Sequence, residues 1–216
     1  MKKAVQMDFD GTVTIEDVSY LLLDEYASDR WRHYLEKYTA SRMSVGAFSR
    51  IVFGMITSDE KTLTDFVRRS DHIKIKPGLK DFLDYCKNKG VRVVIVSHGL
   101  MFYINTILAG LGISGVEVHA AENDFHPGGM KVRYIGPDGA EMDTGFKEAY
   151  TVWLKNMGYD VIYIGDGASD IYSCRKAAHI FATGTLLELC RTEKLFCAPF
   201  SDFFDVIRGL EPLLIS

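Results

Sequence analysis

The sequence predicts an α/β fold: a parallel sheet flanked by helices, with a helical cap inserted after the first strand. Three observations predict it. Apolar, β-branched runs of strand length, such as residues 91–96 and 161–164, end in small or acidic residues, as buried parallel strands do. Each is joined to an amphipathic helical pattern, which is the alternation of an α/β sheet. Between the first strand and the second, from about residue 16 to 69, nothing alternates like a strand and the apolar positions keep a helical period.

The first strand, residues 4–7, runs into Asp8 and Asp10, two apart, with Gly11 and Thr12 next. Residues i and i+2 share a strand face, and the chain turns where a strand ends. Both carboxylates are therefore expected in the crevice at the carboxyl edge of the sheet, where open α/β folds hold ligands. Two carboxylates so close are costly unless a cation lies between them or one is protonated. The pair points to a Mg²⁺ site, a nucleophile beside a general acid, or both together. An ordinary polar turn is the plainer alternative.

Val18, Leu21, Leu22 and Glu25 begin a period near 3.6 that continues through Trp31, Tyr34, Leu35 and Tyr38. Ser44 suits the N-cap of a helix carrying Ala47, Phe48, Ile51, Val52 and Met55. Ser58 suits the N-cap of another that buries Leu63, Phe66 and Val67. Residues 15–75 thus read as a cap domain inserted in a core formed by 1–14 and 76–216; helices that merely cover one sheet face are the alternative.

Pro77 suits the first turn of a helix whose apolar face is Leu79, Phe82, Leu83 and Cys86, and Gly90 stops it. Strand 91–96 follows and ends in Ser97, His98 and Gly99, which puts Ser97 at the same edge as Asp8. A helical pattern starts near Leu100. Residues 113–143 read as strand and turn, with a hairpin or small β insertion around 130–135. His119 and His126 match no common metal-ligand spacing there and read as solvated loop residues.

Thr144 and Gly145 open a helix with Phe146, Ala149, Tyr150, Trp153, Leu154 and Met157 on one side. Lys147 falls off that stripe, in the first turn, where a cation opposes the helix dipole unless it faces an anion. Strand 161–164 ends in Gly165, Asp166, Gly167, Ala168, Ser169 and Asp170. Asp166 stands at the strand edge and Asp170 at a helix entry, where capping is its alternative role. A strand at 179–182 and two short helices within 186–214 complete the reading.

Composition excludes several classes. A chain of 216 residues fits one domain with a modest insertion, and 47% hydrophobic with 25% charged residues is ordinary for a soluble globular protein. A net charge of -4 with no dense Lys/Arg tract argues against a nucleic-acid surface. No run approaches the ~18 apolar residues of a membrane span, and Asp8 interrupts the first apolar run before a leader forms. Cys86, Cys174, Cys190 and Cys197 show no CxxC spacing, so reduced thiols and a cytoplasmic location are expected.

Strand ends and one helix start thus deliver Asp8, Asp10, Ser97, Lys147, Asp166 and Asp170 to one edge. Clustered carboxylates make a hard oxygen site suited to Mg²⁺. Ser97 and Lys147 supply a hydroxyl donor and a positive charge for phosphate oxygens. In order and spacing these motifs (DFDGT at 8–12, the strand ending at Ser97, Lys147, and GDGASD at 165–170) resemble the haloacid dehalogenase superfamily of phosphohydrolases, across nearly the whole chain. The resemblance implies Asp8 as nucleophile and Asp10 as general acid and base, with Ser97 and Lys147 completing the catalytic set. It implies Mg²⁺ held by the Asp8 side chain, the Asp10 backbone carbonyl and Asp166, with Asp170 in support.

The cap position resembles the phosphoserine phosphatase branch. Within that branch the stretches 44–48, 53–55, 186–191 and 200–203 look like the methionine-salvage phosphatases. His98 and Gly99 stand where that branch carries two glycines, and Asp17 stands where it carries a cap glutamate that reads an ammonium; these three are the substrate-binding candidates. The partner implied is a small phosphorylated metabolite. An amino-alcohol phosphate as substrate, and a non-catalytic Mg²⁺/phosphate-binding regulator, are the alternatives; the intact Asp8 and Asp10 argue against the second.

Overall fold

The computed structural model describes residues 2–215. Its strand β1 (Lys2–Met7) is central and buries Ala4, Val5 and Met7 completely. Four helices follow: α1 (Val18–Tyr26), α2 (Trp31–Thr39), α3 (Val45–Phe53) and α4 (Glu60–Arg69). The chain entering this layer and the chain leaving it lie side by side. Thr14 bridges Ile75 antiparallel, Ile15 N donates to Lys74 O at 2.8 Å, and Lys76 N donates to Val13 O at 2.9 Å. Ser44 caps α3 by accepting from Ala47 N, as its position implied. At α4 the cap is Asp59, not Ser58: the Asp59 carboxylate accepts from Thr62 N at 2.7 Å, and a carboxylate also complements the helix dipole.

Helix α5 (Leu79–Asn88) starts at Gly78, whose φ of 83° lies in the left-handed region, so Pro77 precedes the helix rather than opening it. Strand β2 (Arg92–Leu100) runs longer than its β-branched core and carries Ser97, His98 and Gly99 within it. Its register with β3 shifts between Val96 and Leu100, an irregularity of the kind that re-aims side chains. Helix α6 (Met101–Gly110) then leads to β3 (Glu117–His126), which pairs in parallel with β2 before folding back antiparallel on β4 (Gly129–Arg133). The region read as a separate hairpin is thus partly the main sheet. His119 lies in that strand, stacked 4.1 Å from Tyr150 and hydrogen-bonded to Glu117, not in a solvated loop.

Helix α7 (Phe146–Asn156), β5 (Tyr159–Gly165), a short turn of 3-10 helix (Ala168–Asp170) and α8 (Ile171–Cys174) come next. They are followed by β6 (His179–Ala182), α9 (Gly184–Thr192), β7 (Ala198–Pro199) and α10 (Phe203–Ile215). The sheet order is β4-β3-β2-β1-β5-β6-β7, parallel except for β4. This is the predicted α/β sheet. Because β1 sits between β2 and β5, the residues that end these three strands meet at one edge. All four cysteines are free.

The helical layer docks on the sheet through α3. Gly46 N donates to Asp143 O at 3.0 Å, Arg50 pairs with Asp143 at 2.7 Å, and the Ser49 and Tyr134 hydroxyls meet at 2.8 Å in a fully buried contact. A Cβ on Gly46 would lie 2.7 Å from Asp143 Oδ1, so this approach needs glycine.

Candidate active site at the carboxyl edge of the sheet

Asp8 leaves β1 with its backbone N–H still bonded to Ile164 O of β5, 3.0 Å, so its carboxylate projects from the central strand end. One oxygen accepts from Phe9 N at 2.7 Å. The other is 2.6 Å from the Lys147 ammonium. Lys147 is buried, 3% exposed, and also reaches Asp170 Oδ1 at 2.7 Å.

The buried face of α7 includes Phe146, Lys147, Tyr150, Thr151 and Leu154, so Lys147 is on the core side rather than off it, while Met157 is exposed. An apolar-stripe reading passes over a lysine, but here the stripe continues into charge that two carboxylates satisfy. Gln6, buried within β1, fixes this helix end: its amide donates to Lys147 O at 2.8 Å and accepts from the Thr151 hydroxyl at 2.8 Å.

Asp170 is wholly buried and fully engaged. Oδ1 accepts from Lys147 and from the Tyr163 hydroxyl at 2.7 Å; Oδ2 accepts from Asp166 N and Gly167 N at 3.1 and 3.0 Å. It holds the turn that presents Asp166. Asp166 accepts at Oδ1 from the Thr12 hydroxyl at 2.8 Å, and Gly11, φ 73°, leaves room for its other oxygen.

Oxygens of Asp8, Asp166 and Asp170 lie within 4.8 Å of one another. Within this group the Lys147 ammonium bonds Asp8 and Asp170. Burial is the main force raising the Asp8 carboxyl well above the usual range; Lys147 opposes it, and Asp170 and Asp166 add to it. Asp166 is raised by burial and then by Asp170. Hard oxygens with a surplus of negative charge suit a small divalent cation such as Mg²⁺.

Asp10 does not share the cluster. Its Oδ1 accepts from Val18 N at 2.9 Å and its Oδ2 from the Tyr103 hydroxyl. Burial, then Asp17, pushes its carboxyl well above the usual range, against those two bonds. Ser97 is 1% exposed, and its oxygen accepts from Gly99 N at 2.9 Å, which leaves its own hydrogen to donate.

His98 keeps its carbonyl bonded to the Tyr134 hydroxyl at 2.7 Å, and its ring lies between Tyr134 and Phe146. Its Nε2 is buried with no partner among the described residues. Burial, reinforced by Lys147, drives its pKa well below the usual imidazole value, so it is neutral at pH 7. Asp17 is the N-cap of α1, accepting from Tyr20 N at 3.0 Å. Burial pushes it up to about 7, and Asp8 and Asp166 add to that rise.

Tyr20, Tyr38, Tyr103 and Tyr134 surround these groups without having stood out in the sequence. Tyr38 stacks on Phe48 at 5.0 Å and feels the charges of Lys147, Asp170 and Asp8. An aromatic at helical spacing ordinarily reads as core, and nothing in the sequence marks these hydroxyls as polar partners.

A family model described as haloacid dehalogenase-like hydrolase matches residues 5–175. The 2-hydroxy-3-keto-5-methylthiopentenyl-1-phosphate phosphatase of Geobacillus kaustophilus is 29% identical over 209 residues, 94% of this chain and 93% of its own. Pdp3-interacting factor 1 of Schizosaccharomyces pombe is 25% identical over 220 residues, covering 97% and 95% of the two chains. A solved phospho-aspartyl intermediate analogue of phosphoserine phosphatase superposes with a TM-score of 0.69 at 21% identity, covering 96% of this chain and 98% of that one. At that identity the superposition speaks for the fold. With the family match spanning Asp8, Ser97, Lys147 and Asp170 alike, the chain belongs to the haloacid dehalogenase-like hydrolases.

Proposed function

We propose that this protein is a Mg²⁺-dependent phosphatase that hydrolyses a small-molecule phosphate monoester through an aspartyl-phosphate on Asp8. The observation that carries the reading is the buried Lys147 ammonium held between Asp8 and Asp170 beside Asp166. In this reading Asp8 is the nucleophile, Lys147 the fixed positive charge and Asp166 the cation-binding carboxylate, at one strand edge.

In the first half-reaction an Asp8 oxygen forms a bond to phosphorus as the bond to the leaving oxygen breaks, and protonated Asp10 gives that oxygen its proton. In the second, Asp10 takes a proton from water as the water oxygen bonds phosphorus. The phosphorus–Asp8 bond then breaks, releasing inorganic phosphate and restoring Asp8. Lys147 offsets charge gathering on the phosphoryl oxygens, and the Ser97 hydroxyl donates to one of them. Asp8, the Asp10 carbonyl and Asp166, with Asp170 in support, would hold Mg²⁺, which supplies Lewis-acid polarisation of the phosphoryl group.

Within this class the methionine-salvage ester 2-hydroxy-3-keto-5-methylthiopentenyl-1-phosphate, or a neutral ester like it, is the substrate we favour. The similarity to the Geobacillus phosphatase supports it. So does the helical layer, which brings the Tyr38 ring on Phe48 and the Tyr20 ring on Trp31 toward the cluster. The layer between residues 15 and 75 then acts as the cap over a small phosphorylated metabolite.

The test is turnover of p-nitrophenyl phosphate. EDTA is expected to stop it and Mg²⁺ to restore it, with Ca²⁺ substituting poorly because it favours more ligands and looser geometry. Full activity in chelator counts against the reading.

Asp17 carries a separate expectation. Its carboxyl is raised from ~3.9 in the unfolded chain to about 7 in the fold. The folded state therefore binds the extra proton, and stability falls as pH rises between those values. Asn caps a helix as well as Asp does. Asp17→Asn should thus be more stable than the wild type at pH 8, by on the order of 1 kcal/mol or more, with the gain shrinking toward pH 4. Urea denaturation in chelator measures this. The same variant should keep kcat/KM for a neutral ester, and a selective loss on a cationic ester would return Asp17 to the specificity site.

A further inference from the structure

We infer that Tyr103 is the positioning residue for Asp10, fixing which carboxyl oxygen faces the leaving group; this rests on the role proposed for Asp10 above. Asp10 lies past the end of β1 in a turn, where no ladder orients its side chain. Two donors orient it instead. Val18 N, at the first residue of α1, holds Oδ1 at 2.9 Å, and the Tyr103 hydroxyl holds Oδ2. The donors come from different elements, α1 in the helical layer and α6 on the sheet, so together they fix the plane of the carboxyl group.

Tyr103 is built for that contact. It is wholly buried, its ring packs beside Phe9 at 6.3 Å and edge-on to Phe102 at 5.7 Å, and its hydroxyl has a second partner in Ser19 at 2.9 Å. A buried phenol is costly without a hydrogen bond, and here its bonds run to Asp10 and to the first turn of α1. Gly99 makes the approach possible. A Cβ at that position would overlap both the Tyr103 hydroxyl and Asp10 Oδ2. Gly99, marked in the sequence for substrate binding, thus has a reason of its own in this contact.

Without the hydroxyl, Oδ2 loses its anchor and the carboxyl turns about the single bond to Val18 N. General-acid catalysis needs the proton within hydrogen-bond reach of the leaving oxygen, and the need grows with the basicity of that oxygen. The consequence is a loss that depends on the leaving group.

The experiment compares kcat/KM for phenyl phosphate and p-nitrophenyl phosphate, because kcat/KM reports phosphoryl transfer to Asp8, in wild type, Tyr103→Phe, Ser19→Ala and Asp10→Asn. Tyr103→Phe is expected to lose on the order of tenfold or more on phenyl phosphate and at most a few-fold on p-nitrophenyl phosphate. Ser19→Ala, which removes only the outer hydroxyl, should show a smaller loss with the same bias. It also keeps the inference open to refutation if Tyr103→Phe proves unstable in thermal unfolding. Equal losses on the two esters in Tyr103→Phe, or none, overturn the inference if Asp10→Asn itself discriminates between them. If Asp10→Asn costs both esters equally, the role given to Asp10 falls and the inference falls with it. No turnover in the wild type overturns the proposed function itself.

Discussion

Asp8→Asn is expected to remove turnover, by at least about a thousandfold in kcat, while leaving the fold in place. An amide oxygen is a poor nucleophile toward phosphorus, so no covalent half-reaction remains for the other groups to assist. The fold should survive because the ionised Asp8 carboxyl is an electrostatic burden in the resting protein. Burial, Asp170 and Asp166 all raise its pKa against the single attraction of Lys147. The amide keeps the shape, its oxygen can accept from Phe9 N or from Lys147 though not from both, and Lys147 keeps its bond to Asp170. Stability should therefore stay within about 1 kcal/mol of wild type. Beryllofluoride gives the second readout: an adduct on the Asp8 oxygen in wild type, none in the variant. Near-normal turnover in Asp8→Asn, or an adduct on another residue, would remove Asp8 from the nucleophile's role.

The strands that carry these groups were legible because buried parallel strands have a local signature. Residues 91–96 and 161–164 are β-branched runs that fill both faces of the sheet, and they became β2 and β5. Strand β3 was not legible as a main-sheet strand. It joins β2 through Glu117, Val118 and His119, mixed in polarity because this side of the sheet is only half covered, and its pairing is non-local. Asp8, Ser97, Asp166 and Asp170 could be placed from the sequence because each follows or ends such a run.

Lys147 was marked by its position in the first turn, but its burial was not. Helical periodicity ranks apolar side chains, and a buried ammonium becomes tolerable only when carboxylates from distant chain segments meet it. Asp10 shows the converse. Spacing alone groups it with Asp8, yet its carboxyl is held by Val18 N and Tyr103 rather than by Lys147, and neither bond has a sequence signal. Tyr103 sits between Phe102 and Ile104 in a run that reads as core, so only the structure shows what its hydroxyl touches.

Lys147→Met is expected to cost about 3–5 kcal/mol at pH 8, because it leaves Asp8 and Asp170 buried without the charge that pairs them. Met conserves much of the length and volume, so the loss reports charge rather than a cavity. The pH dependence separates this from a packing defect. In wild type the Lys147 pKa is raised in the fold by Asp170 and Asp8 in spite of burial. Its stabilisation is therefore fully present below the unfolded lysine value of ~10.4 and fades only at higher pH, so it is constant across pH 5 to 8. Removing the lysine also removes the attraction that restrains the Asp8 pKa, which burial and the neighbouring carboxylates already raise. The folded variant then binds a proton that the unfolded chain releases above ~3.9, and its stability rises as pH falls. Urea unfolding at pH 5 and pH 8, in chelator, should show a deficit that is largest at pH 8 and clearly smaller at pH 5. Turnover, measured where the variant is still folded, should fall with it, since the phosphoryl oxygens lose their fixed cation. A deficit that does not change with pH, or one below about 1 kcal/mol at pH 8, would mean that Lys147 is not the charge on which this carboxylate cluster depends.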